Sequence, residues 1–282
     1  MTSDATQRVD QQEARLPPRL RWAIGAARLT LREPAEGFDR IRVRAQRALA
    51  RDRSTPPPCL PHPQWQRALH DGLGLAWPCP AHAEFEPLWE EITEYVRAQG
   101  VTLGRGAYGG WDDADPALAR AVWCLTTHLR PARIVETGVA RGITSRVILE
   151  ALARNGSGHL WSIDRPAPDP VLHSQIAIAV PDHRRGPWTY VEGTSRRRLP
   201  PLLRQLGGVD LFVHDSSHTE RNLRFELAEA WSALADGAIV ADDINLNTAF
   251  TSFGRAHPES ARLVAEADDA SALIGIALKR PT

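Results

Sequence analysis

Residues Ile134-Val135-Glu136-Thr137-Gly138-Val139-Ala140-Arg141-Gly142-Ile143-Thr144-Ser145 run from a β-branched stretch through two glycines into a segment with helical spacing. Beyond them Val147, Ile148, Ala151 and Leu152 share one helical face, and Gly156 closes it. Strand, glycine turn and helix in this order form the unit that carries ligands in parallel α/β sheets. The glycines let the backbone approach a ligand, and the helix start offers unpaired amides to an anion. Further short apolar runs alternate with helices, predicting strands at 133–137, 159–164, 189–192, 209–214 and 238–242. At the C-terminus, 261–266 and Leu273 to Leu278 are separated only by Asp268-Asp269-Ala270-Ser271, too little for a crossover helix, so they pair as an antiparallel hairpin. The expected fold is a doubly wound, mostly parallel seven-stranded sheet ending in that hairpin.

Upstream, residues 1–18 are polar and read as a disordered tail, residues 19–100 as a helical extension, and 101–282 as the α/β domain. Within the extension Phe38, Ile41, Ala45 and Leu49 recur at helical spacing beside Arg40, Arg42, Arg44, Arg47 and Arg51, an amphipathic helix with a basic face that is either solvated or a surface for an acidic partner or for self-association. A proline-rich linker spans 54–63. A helix follows at about 84–99, with Phe85, Leu88, Ile92 and Val96 on its apolar face. Asp115 before Pro116 is an N-cap signal for a helix over 116–129. The intervening Tyr108-Gly109-Gly110-Trp111-Asp112-Asp113 is either a lid with stacking surface or a packed loop, and the proline-rich 165–188 segment is a candidate wall of an acceptor pocket.

The 282 residues carry 34 basic and 34 acidic side chains, so no overall field attracts nucleic acid or an anionic membrane. Lys279 is the single lysine, a bias that makes any one arginine weak evidence of function. Cys59, Cys79 and Cys124 lack paired metal-ligand spacing and form no disulfide framework. The N-terminal region has no apolar run, so a cytoplasmic protein acting on a small molecule is expected, with self-association through the N-terminal helices left open.

The glycine turn reads E-x-G-x-x-x-G rather than the G-x-G-x-x-G of dinucleotide sites. Glu136 would repel a pyrophosphate but accept from an amino group, and S-adenosylmethionine carries both an amino group and a carboxylate suited to the helix start. Gly138, Gly142 and Thr144 would line its methionine moiety. Asp164, ending the second strand, is placed for ribose hydroxyls, and Ser195, after Gly193-Thr194, for adenine. The fourth strand ends in His214-Asp215-Ser216-Ser217-His218 and the fifth in Asp242-Asp243. Adjacent parallel strands open their C-terminal ends on one crevice, so Asp215, Asp242 and Asp243 should converge, and a hard divalent cation such as Mg2+ would relieve their repulsion. His218 is the candidate general base, since an imidazole titrates near neutrality and a nearby acid raises it further. His214 is expected to point to the opposite face as a packed histidine.

At these residues the chain resembles class I methyltransferases, and among them the metal-dependent O-methyltransferases typified by catechol O-methyltransferase and the antibiotic-tailoring enzymes. The resemblance runs from about Asp115 to Leu278. It implies methionine binding by Glu136, Gly138, Gly142 and Thr144, ribose binding by Asp164, adenine binding by Gly193-Thr194-Ser195, and a metal triad of Asp215, Asp242 and Asp243. Catechol O-methyltransferase has Asn at the position of Asp243 and its base lysine at that of His218. His214 to His218 and Ile176 to Pro181 are closer to the tailoring branch, whereas residues 1–100 resemble nothing familiar. The expected activity is methyl transfer to a hydroxyl of a sugar or secondary metabolite. The alternatives are a metal-independent methyltransferase acting on another atom, a non-enzymatic binding module, and an NAD oxidoreductase, the last opposed by Glu136 and the glycine spacing.

Overall fold

The computed structural model describes residues 16–38, 42, 59–110, 113, 115–165 and 167–280. The tail and most of the arginine-rich helix, including Ile41, Ala45 and Leu49, lie outside the described residues. Helix α1 (Pro18–Arg32) is followed by α2 (Trp65–Leu73), α3 (Pro80–Ala98) and α4 (Pro116–Leu129). The alternating region comprises β1 (Arg133–Thr137), α5 (Ile143–Asn155), β2 (His159–Asp164), the short α6 (Pro170–His173), β3 (Trp188–Glu192), α7 (Ser195–Leu206), β4 (Val209–His214), α8 (Glu220–Ala233) and β5 (Leu234–Ala241). Helix α9 (Ala249–Ala256) and the strands β6 (Ala261–Glu266) and β7 (Leu273–Lys279) complete it.

The strands form one seven-stranded sheet in the order β3-β2-β1-β4-β5-β7-β6. Strands β1 to β5 pair in parallel, and β7 runs antiparallel to both β5 and β6, so six strands share a direction. Both faces are covered, which is why the central strands are apolar at successive positions. On one face Ile134, Leu211 and Val213 pack with Leu118 and Leu125 of α4 and Ile148 and Leu149 of α5. On the other, Val135 and Phe212 meet Leu199, Leu203, Leu223 and Leu227 of α7 and α8.

The helical extension is not a separate body. Phe85, Ile92 and Val96 of α3 are fully buried and pack with Trp123 of α4 and Val147 of α5. Leu69 of α2 enters the sheet core itself. Helix α3 starts at Pro80, earlier than its apolar spacing predicts, because proline suits the first helical turn. Helices α2 and α9 are additions to the sequence-based expectation. Asp115 caps α4 as predicted, accepting from the Ala117 amide at 2.8 Å. Strand β5 begins at Leu234 rather than 238, with a register shift against β4 between Val209 and Leu211. No helix among the described residues is long and apolar enough to cross a membrane.

Candidate active site

A cavity of about 420 Å3 opens at the C-terminal ends of β1, β2, β4 and β5, within the range typical of small-molecule sites. Gly138, Gly142, Thr144, Asp164, Ser195, Asp215, His218, Asp242 and Asp243 all line it.

Two glycines are required by close approach. Gly138 has φ 88° and lies so near the turn after β4 that a Cβ there would sit 1.9 Å from the Asp215 carbonyl oxygen. Gly142 has φ 78°, and a Cβ would lie 3.1 Å from the Cα of Ala177. The 176–181 segment therefore packs directly on the turn, where the Ala177 and Ala179 amides donate to the Ala140 and Arg141 carbonyls, both at 2.9 Å. Asp164 bonds the same turn: Oδ2 accepts from the Val139 and Ala140 amides at 3.1 and 3.0 Å, and Oδ1 from the Arg165 amide at 2.7 Å. A carboxylate has about four acceptor positions, so Asp164 retains capacity for a ligand hydroxyl.

Glu136 is the exception to the predicted constellation. It alternates with Thr137 along β1 and points away from α8 toward α5, fully buried behind the cavity wall rather than in it. Its Oε2 accepts from the Ser145 and Ser162 hydroxyls, each at 2.6 Å, while Oε1 has no protein partner among the described residues. Desolvation raises its pKa to about 7, against the lowering effect of the two serines. Glu136 thus ties β1 to the first turn of α5 and to β2 through the two serines.

Thr137 and His214 point to the opposite face, toward α8. There fully buried Glu226 accepts from Thr137 Oγ1 and pairs with His214 Nδ1, both at 2.6 Å, and also accepts from Ser216 and Asn222 at 2.8 and 2.7 Å. Desolvation would raise Glu226, but the His214 ring, followed by Ser195 and Thr137, holds it down to about 2. His214 is the packed histidine that its strand position implies. Glu226, in the middle of α8, and Asn222, in its first turn, are missed by motif reading because only the fold brings them to Ser216, beside Asp215.

Asp215, Asp242 and His218 come together at the ends of β4 and β5, whereas Asp243 is outside that group and meets it through His218. Ligating atoms of Asp215, His218 and Asp242 lie within 4.8 Å of one another, and His218 Nε2 is 3.6 Å from Asp243 Oδ2 and 4.0 Å from Asp215 Oδ1. Desolvation, followed by repulsion from Asp242, Glu136 and Asp243, raises Asp215 well above an ordinary aspartate; burial and then Asp243 do the same to Asp242. Oxygen donors crowded in this way fit a hard divalent cation. Asp243 has φ 53°, a left-handed conformation that aspartate tolerates better than most side chains.

Residues 104–110 and Asp113 fold over the turn. Arg141, only 3% exposed, donates to the Thr102 and Ala107 carbonyls and to Gln175, and forms an ion pair with Asp113. Tyr108 lines the cavity, its hydroxyl donating to the Leu172 carbonyl at 3.3 Å, whereas Trp111 lies outside the described residues. Arg141 escapes sequence reading because the arginine-rich composition masks it. Arg165, Ala167, Pro168 and Leu172 also line the cavity. Trp22 of α1 reaches the same cavity, and the adjacent Arg21 pairs with Asp169 at 2.9 Å.

This sheet order, with β7 antiparallel between β5 and β6, defines the class I methyltransferase fold. Residues 135–244 match a family model described as a methyltransferase domain. The chain accordingly has the class I methyltransferase fold, and its residues 135–244 carry a methyltransferase domain. No curated protein matches the chain. Among solved structures it is similar to an O-methyltransferase from Bacillus cereus in complex with SAH, at 13% identity and TM-score 0.48, covering 75% of this chain and 97% of that one. It is also similar to TomG from Streptomyces achromogenes, an O-methyltransferase involved in tomaymycin synthesis and solved with SAM, at 15% identity and TM-score 0.46, covering 78% and 99%. A third is the Podospora anserina methyltransferase PaMTH1 bound to SAH, at 14% identity and TM-score 0.47, covering 79% and 100%.

Proposed function

We propose that this chain transfers the methyl group of S-adenosylmethionine to a hydroxyl oxygen of a small molecule, a sugar or secondary metabolite, with Asp215, Asp242 and Asp243 holding a divalent cation such as Mg2+. The observation that carries the proposal is the convergence of Asp215, Asp242 and His218 beside the glycine turn. When bound, the cation supplies Lewis acidity to the acceptor hydroxyl and the cofactor supplies the methyl group.

The residues of the chain do the rest. The Gly138 to Gly142 turn and the start of α5 give backbone access to the methionine end, with Thr144 on the same wall. Asp164 accepts from ribose hydroxyls, and Ser195 meets the adenine from the start of α7. His218 Nε2 faces the acids and takes the proton from the acceptor oxygen as the new bond forms. Tyr108 and the segment pinned by Arg141 exclude water and hold the acceptor in line with the transferring group.

Because His218 lies as close to the acids as a ligand would, a second reading makes it a metal donor rather than the base. Calorimetric titration with S-adenosylmethionine, in Mg2+ and then in EDTA, tests the proposal on the wild type and on Asp215→Ala. It stands if cofactor binds and a separate Mg2+ isotherm disappears in the variant. Cofactor binding with no Mg2+ isotherm would favour metal-independent transfer, and no cofactor binding would overturn the proposal.

A further inference from the structure

Far apart in sequence, Cys79 and Cys124 do not read as metal ligands, but the fold brings both to two histidines. Cys79 is the extended residue before α3, and His70 lies on α2. Cys124 and His128 are four residues apart on α4 and so share one face. Cys79 Sγ is 3.1 Å from His70 Nε2 and 3.2 Å from His128 Nε2. Cys124 Sγ is 3.7 Å from His70 Nε2, and ligating atoms of His70, Cys124 and His128 lie within 4.8 Å of one another. Tetrahedral zinc with bonds of about 2.3 Å to sulfur and 2.0 Å to nitrogen places such atoms about 3.5 Å apart. The separations of Cys79 from the two histidines and of Cys124 from His70 lie around that value, whereas Cys79 is not among the atoms that all lie within 4.8 Å of one another, so its sulfur would move toward Cys124 on binding.

A second observation fixes the direction of His70. Its Nδ1 lies 2.7 Å from the Gln66 carbonyl oxygen. A carbonyl only accepts, so Nδ1 carries the hydrogen and Nε2 turns its lone pair toward both sulfurs, the orientation found in metal-ligating histidines. His70, Cys79 and Cys124 are buried, and the Trp77 ring lies tilted against that of His70 with centroids 4.7 Å apart. A void of about 10 Å3 is bordered by His70, Cys79 and Cys124, with His128 outside its lining. The nearby Arg154 is paired with Glu84 at 2.6 Å, which offsets its charge.

We infer that His70, Cys79, Cys124 and His128 form a structural Zn2+ site that clips α2 and the start of α3 onto α4. Two thiolates and two neutral imidazoles around Zn2+ give a set with no net charge, suited to a dry site, and a closed set of four ligands leaves no open position for catalysis. Binding replaces the two thiol protons with two Zn–S bonds and releases two protons to solvent. The site is distinct from the acid cluster, which has hard oxygen donors. It ties the N-terminal extension to the helix whose Asp115 cap begins at the cavity.

The full chain, purified from zinc-supplemented medium without chelator, should retain zinc at close to one ion per chain through gel filtration, measured by mass spectrometry. The Cys79→Ser/Cys124→Ser double variant should lose it, whereas Asp215→Asn should keep it. Cobalt added to metal-stripped wild type decides the matter even if the double variant does not fold. A thiolate-to-cobalt charge-transfer band with the intense visible bands of tetrahedral cobalt supports the site. Zinc retained without the cysteines, or a wild type with neither bound zinc nor that band, would overturn it and leave a thiol–imidazole hydrogen-bond cluster.

Discussion

His218 Nε2 lies 3.6 Å from Asp243 Oδ2, across the crevice between the ends of β4 and β5. That contact places one imidazole where it can serve the acids either as a proton acceptor beside a metal or as one of its donors. As the base, His218→Ala should lower kcat by about 10²-fold or more and remove the acidic limb of its pH profile. The Mg2+ isotherm should survive. The measurements are steady-state methylation, with an acceptor found by screening hydroxylated sugars and phenols, together with calorimetry. A lost isotherm would make His218 a ligand.

Asp215 gives a prediction that needs no acceptor. Its folded pKa is raised by desolvation first and by Asp242, Glu136 and Asp243 next. For a carboxyl whose folded pKa exceeds its unfolded value, stability is fully present below the unfolded pKa and is lost as pH rises through the folded one. In EDTA at pH 8 the wild type therefore carries the cost of a buried, repelled charge, and Asp215→Asn should melt several degrees higher. Mg2+ should raise the wild-type midpoint and leave that of the variant nearly unchanged. Thermal unfolding with and without Mg2+ checks both signs.

Most of the fold is legible in the sequence because its local signals agree. Asp115 followed by Pro116, the glycine turn after β1, and the short gap before Leu273 each specify a local geometry that the sheet then uses. The acids of the site are legible for the same reason, since they end strands whose direction the βα alternation fixes. What the sequence conceals comes from tertiary proximity. Glu226 is an ordinary acid on an amphipathic helix until β1 and β4 place Thr137 and His214 on it. Cys79 and Cys124 are separated by all of α3 and become neighbours only because α3 packs back on α4. Glu136 ends its strand as expected, but strand alternation turns its side chain behind the wall toward Ser145 rather than into the crevice.

The two-sided fit of Gly138 predicts an asymmetric response to alanine. At Gly138 a methyl group meets both the left-handed backbone, at φ 88°, and the Asp215 carbonyl at 1.9 Å. At Gly156, φ is 70° but nothing lies within 4 Å of the added Cβ. Gly156→Ala should cost about 1 kcal/mol, the cost of the conformation alone. Gly138→Ala should cost more than about 3 kcal/mol or prevent folding, because the turn after β4 must also move. Urea unfolding of the two variants measures the difference, and equal costs would mean that the turns yield freely.

Glu136 carries the last prediction, because a carboxyl held near neutrality in the core links folding to pH. Its ordinary value of 4.5 is raised to about 7, chiefly by desolvation and further by Asp164, with the Ser145 and Ser162 hydroxyls opposing the rise. Below pH 4.5 the carboxyl is protonated in both states and has no effect on stability. Between pH 4.5 and 7 the unfolded chain loses the proton while the folded chain keeps it, so stability falls as pH rises, by about 3 kcal/mol in total, and then levels off. Glu136→Gln removes that linkage while its amide can still accept from one of the serines. The variant should match the wild type near pH 5 and melt several degrees higher at pH 8 in the absence of cofactor. If the S-adenosylmethionine amino group reaches the unpartnered Oε1, the same variant should also weaken cofactor binding at pH 8. Weakened binding would give Glu136 a part in cofactor recognition, and unchanged binding would confine it to tying β1 to α5 and β2.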